Sequence, residues 1–252
     1  MQENYNDKST EGGETALNKA LSWLDNFWYH YKWHSIIALF LIFAVLICSL
    51  QMCSKTSYDM HILYSGGYEI KRTSSNGDLN PYKSTLLSLG YVVSDYDEDG
   101  KVNISFSDLY MLTADEIAAL TEAGKTEEIN YYLINENSRI LRDNLTYSSF
   151  YLTFLSPAVF EEYQKIDGVE IFAPISALVN TGVSVELYSP TAIRLSSTDF
   201  YSLPGICDLP EDTLVAIRQI SDVSGFFNKT GTERDYNRAL ETLKKIISYK
   251  NG

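Results

Sequence analysis

Ser35–Cys53 reads SIIALFLIFAVLICSLQMC, nineteen residues without a charge. As an α-helix rising about 1.5 Å per residue it reaches roughly 28 Å, the thickness of a bilayer's hydrocarbon core. Eleven of the nineteen are Leu, Ile, Phe or Val, and each favours insertion by about 0.3–0.6 kcal/mol near the membrane centre. The stretch predicts a transmembrane helix over 35–53. It divides the chain into an amino-terminal tail with an amphipathic aromatic helix (1–34), the span, and a soluble domain (56–252). The fold class expected from the whole pattern is α/β: a single transmembrane helix followed by a soluble α/β sandwich with a mixed sheet.

Toward the amino terminus, residues 1–13 are polar and Gly-containing and predict a disordered tail. Leu17, Ala20, Leu21, Leu24, Trp28 and Tyr31 then follow helical spacing. All three tryptophans, Trp23, Trp28 and Trp33, precede the span, with Phe27, Tyr29, Tyr31 and Lys32 among them. Rings with an apolar body and a polar edge favour the headgroup zone, so Trp23, Phe27, Trp28, Tyr31, Lys32 and Trp33 are the expected membrane-interface residues of an interfacial helix over 14–33. A partner-facing amphipathic helix is the alternative. A cleaved signal peptide fits poorly, because 34 residues precede the apolar run. Met52 before Cys53 is not the small residue a lipid-attachment site needs. The expectation is an uncleaved signal-anchor in the cell membrane, amino terminus cytoplasmic and carboxyl-terminal domain extracytoplasmic, although Lys32 and Lys55 leave the flanking charge nearly balanced.

Charge excludes one class of function. Residues 1–53 hold 3 Lys and 5 acidic residues, which leaves 17 Lys/Arg against 28 Asp/Glu beyond the span. A nucleic-acid surface needs clustered cations, so nucleic acid is not an expected partner. Three cysteines, Cys48, Cys53 and Cys207, make no disulfide framework.

Beyond the span, SYDMHILY at 57–64 reads as a first strand ending at Gly66-Gly67. Asn80-Pro81 marks a helix start and Gly90 its end. Tyr91-Val92-Val93 predicts a strand turned at Asp99-Gly100, and Val102, Ile104 and Phe106 alternate with Asn103 and Ser105 as a half-buried strand. Thr113 and Glu116 form a capping-box pair. A helix is expected over 127–143 with Ile129, Tyr132, Leu133, Ile140 and Leu141 on its apolar side. Phe150–Leu155 is a continuous β-favouring run suited to a central strand, followed by a helix starting at Ser156-Pro157. Short strands are expected at 169–172, 183–188 and 213–219 between proline-marked loops. A final amphipathic helix is expected over 232–249, with Tyr236, Ala239, Leu240, Leu243, Ile246 and Ile247 in one stripe.

The stretch Asn26-Phe27-Trp28-Tyr29-His30-Tyr31-Lys32-Trp33-His34 before an apolar span resembles a group of uncharacterised single-pass membrane proteins of Gram-positive bacteria. Through the strand 57–64, the Asp-rich turn 95–100 and Phe150–Tyr163, the soluble part is similar to one lobe of extracellular solute-binding proteins. That likeness implies an extracytoplasmic α/β domain and brings no activity with it.

The most pointed local pattern is Asp95-Tyr96-Asp97-Glu98-Asp99-Gly100-Lys101-Val102-Asn103. Oxygen ligands at alternate positions with a glycine at the sixth match the first nine positions of a calcium loop, with Asp95, Asp97, Asp99 and Asn103 as candidate ligands. The twelfth position, a bidentate acid in such loops, is Phe106, so the segment reads either as a degenerate calcium site or as a plain Asp/Gly hairpin turn. His30 and His34 are four apart, but without a further Glu or Cys they suit headgroup snorkelling better than metal. No nucleophile elbow, phosphate-binding loop, dinucleotide fingerprint or zincin motif occurs. The sequence therefore predicts a non-enzymatic membrane-anchored protein without an obligate cofactor. Its extracytoplasmic domain would bind an envelope protein partner or a small ligand. An assembly subunit of a membrane complex and a motif-less membrane-anchored hydrolase are the rival readings.

Overall fold

A computed structural model describes residues 11–53, 57–73, 79–175, 185–220 and 222–250. The chain divides into two compact units, Met1–Thr56 and Ser57–Gly252.

The described residues of the first unit form one helix, α1 (Glu11–Cys53). Its Asn18–Leu50 portion is long and apolar enough to cross a membrane. The side chains of Ile36, Leu39, Phe40 and Phe43 are all exposed. The helix contains no proline and runs unbroken from Glu11 to Cys53, so the segment expected as an interfacial helix over 14–33 leads directly into the apolar run. Along it Trp23, Phe27 and Tyr31 meet at four-residue steps, with ring centroids 5.6 and 5.3 Å apart. Residues 1–10 of the predicted tail lie outside the described residues.

The second unit is built on a six-stranded mixed sheet with strand order β2-β1-β3-β8-β7-β6. In chain order its elements are β1 (Met60–Gly66), α2 (Pro81–Leu89), β2 (Ile104–Tyr110), α3 (Ala114–Glu122), α4 (Tyr131–Tyr147), β3 (Leu152–Leu155), α5 (Pro157–Glu162), β4 (Lys165–Ile166), β5 (Val169–Glu170), β6 (Leu187–Ser189), β7 (Ala192–Arg194), β8 (Leu214–Ile217) and α6 (Asp222–Ser248). β1, β2 and β3 are parallel, and β8, β7 and β6 continue antiparallel from β3. β4 and β5 form a separate ribbon.

Period-two alternation gives the sheet two apolar faces. Ile62 and Tyr64 of β1, Leu152 and Phe154 of β3 and Val215 and Ile217 of β8 pack with Leu89, Val92 and the Ala239, Leu243, Ile246 and Ile247 stripe of α6. Leu63, Leu155, Leu214 and Ala216 point the other way, against Ile134, Leu141 and Leu145 of α4 and Val159 and Phe160 of α5. Helices on both faces bury β3 and β8 throughout, which is why Phe150–Leu155 reads as a continuous β-favouring run. The outer strand β2 is blunted. The Phe106 carbonyl accepts from the Tyr82 hydroxyl at 3.0 Å, and the Tyr110 carbonyl accepts from Asn137 Nδ2 at 2.8 Å.

Local signals predicted the helix starts well. Asn80 accepts from the Lys83 amide, Ser156 accepts from the Val159 amide, and Thr113 with Glu116 closes a full capping box. Other expectations are corrected. Tyr91–Val93 is not a strand: the Val92 and Val93 amides donate to the Leu89 carbonyl and extend the end of α2 as a turn. No hairpin therefore forms at Asp99-Gly100, and the segment is the crossover into a parallel strand. α4 begins later than expected, capped by Asn130, and buries Ile134, Asn137, Leu141 and Leu145, while Tyr132 is 82% exposed. Strand 169–172 is only the short β5, and β7 had no local signal. Residues 183 and 184 of the predicted 183–188 strand lie outside the described residues.

Two charged side chains are deeply buried among the described residues, Asp59 (2% exposed) and Arg218 (1%). Arg218 lies over the Tyr151 ring at 4.2 Å and donates to the carbonyls of Leu145, Thr146, Ser148 and Phe150, closing the carboxyl end of α4. Burial pushes its pKa down, partly offset by Tyr151.

Candidate metal centre

Asp59 stands one residue before β1, and its amide donates to the Asn103 carbonyl at 2.8 Å, prolonging the β1–β2 ladder. Its buried carboxylate organises the loop that leads into β2. Oδ1 accepts from the amides of Tyr96 (2.7 Å) and Asp97 (3.3 Å), and Oδ2 accepts from the Asn103 amide (2.8 Å). A carboxylate taking three amide hydrogen bonds can stay buried without a cation of its own.

Within the loop each aspartate ties its own turn. Asp95 Oδ2 accepts from the Gly100 amide at 2.8 Å, Asp97 Oδ1 from the Asp99 amide at 3.3 Å, and Asp99 Oδ1 from the Lys101 amide at 2.8 Å. The bonds of Asp97 and Asp99, each to the amide two residues ahead, are Asx turns, the reason aspartate favours such positions, while Asp95 spans the whole turn to Gly100. Gly100 has φ +82° and Glu98 φ +59°, so the chain passes through the left-handed region twice.

The result is convergence. One oxygen from each of Asp59, Asp95 and Asp97 lies within 4.8 Å of the others. Two oxygens bound to a single calcium ion at 2.3–2.6 Å can be at most about 5 Å apart, so the group is compact enough to share one hard cation. Asp95 Oδ1 is buried and has no hydrogen-bond partner among the described residues. Of the sequence candidates, Asp95 and Asp97 belong to the converging group. Asp99 does not, and Asn103 contributes through its backbone to the Asp59 carboxylate. Asp59 was missed because it lies 36 residues upstream of Asp95, in a segment that reads only as strand. It adds a carboxylate from elsewhere in the chain to the converging group.

The surroundings come from α6 and the start of β1. The Arg238 guanidinium donates to the Asp59 carbonyl at 3.1 Å and lies 4.5 Å over the Tyr96 ring. Burial, reinforced by the charge of Glu241, raises the Tyr96 pKa. His61 is half-buried, edge-on to the rings of Tyr58 and Phe150. Burial lowers its pKa, with Asp235 opposing and Arg238 adding to the shift. His30 and His34 lie along α1, edge-on to Tyr29 and Tyr31. Cys207 is exposed and free. Trp23, Phe27, Trp28, Tyr31, Lys32 and Trp33 are all exposed on α1. No protein-family model, curated protein or solved structure matches this chain, so its functional reading rests on geometry and chemistry.

Proposed function

We propose that this is a single-pass membrane protein, amino terminus inside, whose extracytoplasmic α/β domain is a non-enzymatic binding module for an envelope protein or small ligand, with a calcium ion held by its Asp-rich loop. The anchor reading rests on the exposed apolar run of α1, which has the length and composition of a span. Calcium rests on one observation: a carboxylate oxygen from each of Asp59, Asp95 and Asp97 converges within 4.8 Å, and Asp95 also carries a buried Oδ1 without a partner among the described residues. Three carboxylates this close repel one another, and a divalent cation relieves that repulsion. Asp59, Asp95 and Asp97 would hold the ion, and hydration would complete its oxygen shell. A loop with few acidic ligands belongs with the weak extracellular calcium modules, of Kd about 10⁻⁴–10⁻³ M, and suits the side of the membrane where calcium is plentiful.

The test is a thermal melt of the full chain in detergent, with and without 10 mM calcium. At about 10–100 times Kd, linkage adds roughly 1.4–2.7 kcal/mol. For a domain of this size that raises Tm by about 3–10 °C. Asp95→Asn with Asp97→Asn is expected to abolish the rise. An unchanged wild-type melt at 10 mM calcium refutes the metal reading. Orientation is tested separately: proteinase outside intact spheroplasts is expected to digest the carboxyl-terminal domain, and its protection refutes the topology.

A further inference from the structure

The acidic loop is bound on one side by Asp59 and on the other by α6. Arg238 joins these two supports: the same guanidinium that donates to the Asp59 carbonyl also covers the Tyr96 ring. Tyr96 in turn donates its amide to the Asp59 carboxylate at 2.7 Å, so Arg238, Asp59 and Tyr96 form a closed triangle of contacts. One turn further along α6, Glu241 accepts from the Ser94 hydroxyl at 3.3 Å, and Lys245 reaches both Ser94 and Glu241. Loop residues 94–103 thus meet α6 through three successive polar residues of one helical face, Arg238, Glu241 and Lys245, spaced three and four apart. The opposite, apolar side of the same helix is Ala239, Leu243, Ile246 and Ile247, seated in the sheet core.

We propose that α6 is a latch on the acidic loop, with Arg238 as the positioning residue that makes helix docking and loop order rise and fall together. A loop whose carboxylates are positioned through Arg238 changes shape when the helix lifts, and a helix held by an ordered loop lifts less often. Linkage makes the coupling reciprocal: a cation taken by Asp59, Asp95 and Asp97 steadies α6 by the same factor by which α6 docking raises cation affinity. This last step rests on the calcium reading above; the latch itself does not.

Backbone amide exchange on the full chain in detergent tests it, comparing wild type with Arg238→Met. Methionine keeps much of the stem's length and loses the guanidinium. The expected result is exchange at least about tenfold faster at the Tyr96, Asp97 and Asn103 amides, with β1 and β3 amides unchanged, because local opening and global unfolding are separable by exchange. Unchanged loop exchange overturns the latch, and so does a uniform acceleration across the sheet. Should Arg238→Met fail to fold, Tyr96→Leu removes the ring beneath the guanidinium and is read by the same criterion. Adding 10 mM calcium to wild type is expected to slow exchange over residues 236–247, and Arg238→Met to lose that slowing. A calcium-raised melt with α6 exchange unaffected overturns the coupling and leaves the calcium reading standing. No calcium effect on melt or exchange overturns the calcium reading, and the Arg238→Met comparison then decides the latch alone.

Discussion

Arg218→Met is expected to destabilise the α/β domain by about 2–4 kcal/mol, and the estimate follows from the side chain's surroundings. Nε donates to the Phe150 carbonyl at 3.4 Å, Nη1 is shared between Leu145 (3.4 Å) and Thr146 (3.3 Å), and Nη2 makes the close contact, to Ser148. Hydrogen bonds from a charged donor contribute about 1.5–3 kcal/mol each. Three of the four are long, so the set is worth about two such bonds, roughly 3–6 kcal/mol. Stacking on Tyr151 adds about 1–2 kcal/mol in so dry a site. Against this, methionine removes a buried charge that forms no ion pair among the described residues, and relief of its desolvation returns several kcal/mol. The orphaned carbonyls decide the sign, because methionine offers them no donor and the site admits almost no water. At about 2–4 °C per kcal/mol, Tm falls by about 5–15 °C. Urea unfolding with a constant m-value checks that the change is in stability and not in two-state behaviour. Arg218→Lys keeps the charge but not the fork, and is expected to fall between the two. A loss below about 1 kcal/mol, or a gain, refutes the reasoning: it would mean that the end of α4 finds other donors and that the buried charge is a net cost.

Gly205 has φ +78°, and a Cβ there would lie 2.3 Å from the Thr85 amide nitrogen. Gly205→Ala is expected to cost about 3 kcal/mol or more, whereas Gly168→Ala, with φ +82° but open space, costs about 1–2; equal melts for the two variants refute the clash. Burial raises the Tyr64 pKa well above its usual value of 10.0. The unfolded chain thus releases that proton first, and the stability Tyr64 contributes is complete below about pH 10 and falls as pH rises beyond it; a urea midpoint flat from pH 9 to 11 contradicts this. Residues 57–252 are expected to melt cooperatively without α1, and removing 232–252 to unfold them, because each buried Leu or Ile of the α6 stripe contributes about 1.5–3 kcal/mol. A surviving cooperative melt after truncation would make the helix peripheral.

What could be read from the sequence were features whose energetics are local. Nineteen uncharged residues state their own length and hydropathy. Asn80, Thr113 and Ser156 each cap an amide three residues ahead, so neighbouring residues carry the signal. The apolar stripe of α6 is a periodicity, and Phe150–Leu155 announces burial on both faces by having no polar alternation. Only the tertiary structure decided what depends on chain segments meeting. Val92 and Val93 have β-favouring side chains, but their amides were claimed by the end of α2. Tyr132 matches the helical stripe, yet α4 rotates by its buried Ile134, Leu141 and Leu145 and leaves it in solvent. The candidate metal centre followed the same division. Asp95 and Asp97 declare themselves by spacing and by a glycine at the turn. Asp59 could not, because a carboxylate that binds amides 37, 38 and 44 residues away leaves no trace in its neighbours. It becomes part of the site only when the parallel pairing of β1 with β2 brings the amino ends of both strands together.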